Sequence, residues 1–130
     1  MNEAILKELI DKALARLATF PAILAALSQE GVESYHVDFL RHEYRYYAKD
    51  GTSLVMPVAL VHDGVASVFS AEALEAINKR VQAGQAGYPE FVKEGAAVGC
   101  AYYIVYLNGG KVRYFGRDGG EYVQHFPIPL

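Results

Sequence analysis

The stretch VRYFGRDGGEYV, Val112 to Val123, decides the fold, because YRYYAKDGTSLV, Tyr44 to Val55, says nearly the same thing. Shifting the chain by 68 residues lays 2–59 on 70–127 without a gap, and twelve of those 58 positions are identical. The matches include Pro21/Pro89, Gly31/Gly99, Asp50/Asp118 and Gly51/Gly119, residues that punctuate helices and turns rather than fill them. Others alternate as strand residues do: Tyr35/Tyr103, Val37/Val105, Arg45/Arg113, Tyr46/Tyr114 and Val55/Val123. A coincidence of punctuation and period points to tandem duplication.

Each copy reads as two helices followed by three strands. Asn2 and Ser70 stand as N-caps before apolar residues at helical spacing, Leu6, Leu9, Ala13 and Leu74, Ile77, Val81. A second helix starts near Pro21 or Pro89 and stops at Gly31 or Gly99. Alternation then sets in with VESYHVDF and CAYYIVYL; NGGK reads as a two-residue hairpin turn, and both copies turn again at Asp-Gly. The fold expected is α+β: a tandem duplication of an ααβββ unit whose antiparallel meanders pack with helices about a pseudo-two-fold. Residues 1–130 would form one domain of two repeats, 2–59 and 70–127, joined by 60–69, with the linker extending a strand before Ser70.

Turn centres at Gly109-Gly110 and Asp118-Gly119 place Val105, Tyr114 and Val123 in one cross-strand row, and Val37, Tyr46 and Val55 in its counterpart. The echoed stretch then encodes a shared core row. The opposite face differs between copies, which is where specialisation is expected. There the same register sets His36, Tyr47 and Leu54 in a row and Asp38 opposite Arg45. In the second copy it groups Ile104 with Phe115 and Tyr122, and Tyr106 with Arg113 and Gln124.

The whole pattern resembles a bacterial family, the YbcV-like domain of unknown function, some members of which are labelled phage envelope proteins. GVESYHVDFLRHEYRYYAKDG (31–51), VYLNGGKVRYFGRDG (105–119) and YPEF (88–91) carry the resemblance, which spans nearly the entire chain. It implies no catalytic motif and no established activity, so no residue role is carried over.

Composition narrows the function classes. Apolar residues make up 52% of 130 and charged residues 21%, the balance of a folded domain. The net charge of −3, with acids and bases interspersed, argues against nucleic acid as partner. Cys100 is the only cysteine, which excludes an internal disulfide and suits a reducing cytoplasm. The N-terminus reads as an amphipathic helix rather than a signal peptide, and no apolar run approaches a membrane span of roughly 20 residues. No cofactor or metal site is indicated: His42 and His62 sit in turn sequences, and Cys100 aligns with Val32 as a small buried hydrophobe.

The reading is a small cytoplasmic, non-enzymatic module for a small-molecule ligand or a protein partner, a homodimer included. Candidate ligand-binding residues are His36, Asp38, Arg45, Tyr47, Tyr106 and Arg113. The alternative is a small hydrolase or isomerase using His36 and Asp38 beside Arg45, because a carboxylate can orient an imidazole as general base.

Overall fold

A computed structural model describes residues 1–126; Pro127, where the expected second repeat ends, and the three residues after it lie outside them. Two helices lead, α1 (Glu3–Leu14) and α2 (Phe20–Gln29), then β1 (Val32–Asp38), β2 (Glu43–Ala48) and β3 (Ser53–Pro57). The order repeats as α3 (Ala71–Gln82), α4 (Tyr88–Ala97), β4 (Cys100–Tyr106), β5 (Lys111–Gly116) and β6 (Glu121–His125). The local reasons are those of the sequence. Asn2 Oδ1 accepts from Ile5 N–H and Ser70 Oγ from Ala73 N–H, closing the first turns of α1 and α3. Pro21 and Pro89 sit in the first turns of α2 and α4.

The six strands form one antiparallel sheet in the order β3-β2-β1-β4-β5-β6. The halves therefore lie side by side, joined by β1 against β4. That central pairing is symmetric under the 68-residue shift: Ser34 faces Tyr106, Asp38 faces Tyr102, and the corresponding residues His36 and Ile104 face each other at its middle. Both meanders also share one register, Tyr35–Tyr46–Leu54 in the first and Tyr103–Tyr114–Tyr122 in the second.

These rows correct the ones expected. Neither first hairpin has a two-residue turn. Asp38 pairs with Glu43 and Tyr106 with Lys111 across four-residue loops, so Val105 faces Val112 rather than Tyr114. The Asp-Gly turns are three-residue loops, with Ala48 N–H bonded to Thr52 O and Gly116 N–H to Gly120 O. Type I turns followed by a left-handed residue make such loops, and Gly51 (φ 88°) and Gly119 (φ 84°) are those residues. The extra residue flips β3 and β6 by one place, and a slip of one changes face. Val55 and Val123 thus leave the core row, and Val55 is 55% exposed.

All four helices cover one face of the sheet, where Tyr35, Val37, Tyr44, Tyr46, Tyr103, Val105, Val112 and Tyr114 are buried. The linker 60–69 adds no strand. It closes one end instead: Ala66 N–H bonds Ala96 O, and His62 Nε2–H donates to Phe39 O at 2.9 Å. Phe39, fully buried, meets Phe91 and Tyr103 edge-on there.

Gly99 pins the linker to the second copy. A Cβ there would stand 2.2 Å from Val68 O, whereas one on its counterpart Gly31 would meet nothing within 4 Å. Both residues are left-handed, at φ 96° and 79°. Gly31→Ala should cost about 1–2 kcal/mol, the left-handed penalty alone. Gly99→Ala should cost at least about 2 kcal/mol more, because linker backbone must move. Urea unfolding of the two variants checks this; equal losses would mean the linker is not fixed at Gly99.

Candidate ligand-binding site

Between the helices and the tyrosine face lies a cavity of about 790 Å³. Its floor comes from alternate residues of β1, β2, β4 and β5, whose period of two sends Tyr35, Tyr44, Tyr46, Tyr103, Val112 and Tyr114 to the helix side. Its walls come from the inner faces of α1, α2, α3 and α4, among them Ile10, Ile23, Val81 and Phe91. The α1–α2 and α3–α4 connections, from Arg16 to Thr19 and from Gly84 to Gly87, also border it. There Arg16 pairs with Glu90, whose Oε1 also accepts from Gly87 N–H at 2.8 Å. The guanidinium beside it, and that hydrogen bond, hold the Glu90 carboxyl below its usual pKa. Arg16 is itself left-handed (φ 61°), in the place where the second half has Gly84 (φ 75°). A non-glycine residue held there is uncommon, and such residues concentrate at functional positions.

Two polar features stand out inside. The Tyr88 hydroxyl, from the first turn of α4, bonds both the Tyr44 hydroxyl and, at 2.7 Å, the Tyr103 hydroxyl. Tyr44 and Tyr103 reach it from strands on either side of β1, both opposite Val37. Burial raises the pKa of all three phenols, so they stay protonated through neutral pH. The second feature is Asn78, on α3, 6% exposed. Its Nδ2 is buried and has no hydrogen-bond partner among the described residues. Its side chain, beside Tyr114, holds down the burial-driven rise of that phenol's pKa.

The six residues singled out from sequence are on the sheet's other face. Arg45 faces His36, not Asp38, and its Nη2 is 3.4 Å from His36 Nδ1. The pKa of His36 is lowered by burial and then by the Arg45 charge. The His36 and Tyr47 rings are 5.1 Å apart. Asp38 faces Glu43, and its Oδ1 accepts from Leu40 and Arg41 N–H, both at 2.9 Å, so this carboxylate shapes the β1–β2 turn. The expected Asp38–Arg45 ion pair is replaced by Arg45–Glu43 at 3.6 Å. Tyr106 sits beside Lys111, and Arg113 hydrogen-bonds Glu121 through Nε at 3.1 Å. These residues spread over four strands, and none of them lines the cavity on the helix side.

The family match falls on this architecture: the model described as Protein of unknown function (DUF1398) matches residues 3–124. The chain belongs to the DUF1398 family. No curated protein matches it. In the DUF1398 chain Cys100 is buried, as its alignment with Val32 suggests, and burial pushes its thiol up to about 12. No helix among the described residues is long and apolar enough to cross a membrane, and no three of their His, Cys, Asp and Glu side chains cluster to hold a metal ion.

The residues missed from sequence had a signal in the repeat itself. Asn78 stands where the first copy has Ile10, a polar residue on a core stripe, and Arg16 stands where the second copy has glycine. The hydroxyl chain gives a direct test. Tyr88→Phe leaves Tyr44 and Tyr103 without their shared partner and should cost about 1–3 kcal/mol. Thermal unfolding of the variant reads it; a loss below about 0.5 kcal/mol would mean that water serves these hydroxyls equally well.

Proposed function

We propose that this DUF1398 chain is a small non-enzymatic binding module that takes a flat, largely apolar molecule into the cavity over its tyrosine floor. One observation carries this reading. A cleft of about 790 Å³, open to solvent, lies between the helices and the aromatic layer of the sheet. The volume lies within the roughly 300–1,000 Å³ of small-molecule pockets, and the lining has their mixture of aromatic walls and few polar groups. Binding is favoured over the hydrolase or isomerase alternative because Asp38 is committed to its turn and does not orient His36. The cytoplasmic setting suggested by a single buried cysteine belongs to this reading.

The same proposal treats residues 2–59 and 70–127 as tandem copies in one domain, joined by 60–69. Support comes from the common register of the meanders, the symmetric β1–β4 pairing, and the left-handed positions Arg16/Gly84, Gly31/Gly99, His42/Gly110 and Gly51/Gly119. The stretches 31–51 and 105–119 support the narrower YbcV-like, phage-associated bacterial grouping. For the open face of the sheet we propose a second copy of the chain as partner. Two helices per half cover one face only, and Val55, Ile104, Phe115 and Val123 are left on the other beside His36, Arg45, Tyr47, Tyr106 and Arg113.

N-phenyl-1-naphthylamine, a neutral fluorescent probe, tests the cavity. It should bind one per chain at micromolar concentration, and Ala13→Trp, which fills the cavity from α1, should abolish binding while far-ultraviolet dichroism stays unchanged. Equal binding by the filled variant would contradict the reading. Sedimentation equilibrium of the unliganded protein should give the mass of two chains, reduced to one by Phe115→Glu; a single-chain mass throughout would remove the dimer.

A further inference from the structure

The polar groups inside the cavity are not arranged at random; they leave donors unspent. In the Tyr44–Tyr88–Tyr103 chain three hydroxyls make two bonds with each other, so one O–H proton is uncommitted. Tyr35 and Tyr46 also bring their hydroxyls to the floor. Asn78 Nδ2 adds a buried amide donor with no described partner. A buried, unmatched donor costs free energy, and this one is absent from the first copy, where Ile10 occupies the same wall.

Charge is handled differently. The charged residues that line the cavity, Arg16 and Glu90, pair with each other. The floor phenols are held neutral by burial. An ionic ligand would be stripped of water with no free counter-charge to receive it. The two halves also line the cavity differently: Tyr44 corresponds to Val112 and Asn78 to Ile10, so each half adds one polar group that the other lacks.

We propose that the cavity's ligand is an uncharged, planar aromatic molecule bearing a carbonyl-type oxygen, which accepts a hydrogen bond from Asn78 Nδ2 while its rings lie over the tyrosine floor. This rests on the cavity being a binding site, and the choice of probes separates the two claims. A site built to hydrogen-bond a ligand group discriminates strongly against the analogue lacking it, since its own buried group is then left unpaired.

The test is isothermal titration of the full chain with 2-acetylnaphthalene, 2-ethylnaphthalene and 2-naphthoate. These are a neutral ketone, a hydrocarbon of nearly the same shape, and an anion. The ketone should bind at least tenfold tighter than the hydrocarbon, although the hydrocarbon is the more apolar, and the anion should bind weakest at neutral pH. Asn78→Leu should remove the preference by weakening the ketone alone. Its melting temperature should rise, because an unpaired buried amide has been deleted, and this readout does not depend on any ligand. Equal binding of ketone and hydrocarbon by the unmodified protein would overturn the proposal and leave the binding reading intact. So would an Asn78→Leu variant that weakens all three alike or melts lower. Failure of all three naphthalenes to bind would refute the binding reading and this inference together.

Discussion

The antiparallel contact of β1 with β4 is the constraint on which the rest of the molecule depends. Each half alone is two helices on a three-stranded meander, with little sheet to bury its helices against. Joined edge to edge, the halves become a six-stranded sheet with one aromatic layer beneath four helices. Burial follows the junction: Val37 and Val105 are fully buried, and Tyr35 and Tyr103 nearly so, all four from its two strands. The join also removes the two edges that would carry the longest unpaired backbone, leaving the five-residue strands β3 and β6 at the margins.

The junction also accounts for the cavity. Helices from two halves approach a common floor, and the α1–α2 and α3–α4 connections meet where Arg16 pairs with Glu90 beside Gly87. Bulky tyrosines fill the floor in tilted and stacked pairs, Tyr35 with Tyr44 and Tyr46, Tyr103 with Tyr114. Such pairs add about 0.5–1.5 kcal/mol each beyond their burial. They stiffen the sheet side, while hydroxyls at the ring tips need partners and keep the helix side from closing fully. Tyr88 satisfies two of them. A tyrosine floor thus packs a core and leaves a polar-tipped space in the same stroke.

Much of this architecture was legible in the residues. Caps at Asn2 and Ser70, prolines in the first turns of α2 and α4, and helix stops at Gly31 and Gly99 act locally, and local chemistry is written in sequence. Register was not legible, because Asn108-Gly109-Gly110 looks like a two-residue turn while the chain spends four residues there, as Phe39 to His42 do without any glycine. That displacement by two kept faces correct; the displacement by one at the Asp-Gly loops did not, and it sent Val55 and Val123 to the open face. The candidate site was missed for a related reason. Residues shared by the two halves looked like core filler and diverged ones looked functional, yet four of the six cavity-floor residues are the shared tyrosines Tyr35, Tyr46, Tyr103 and Tyr114. The cavity's informative residues are single departures, Asn78 for Ile10 on α3 and Arg16 for glycine in the α1–α2 connection. The space itself, a property of helix placement, leaves no mark in the sequence.

Native-state hydrogen exchange tests most directly whether the β1–β4 contact unites the halves. Amides of β1 and β4 that bond across the junction, around His36 and Ile104, should be among the slowest to exchange and should open with the free energy of global unfolding. The inner strands β2 and β5 should open with them in one cooperative step. Exchange at the junction through a cheaper opening than that of β2 or β5, or one half opening while the other stays protected, would contradict the account.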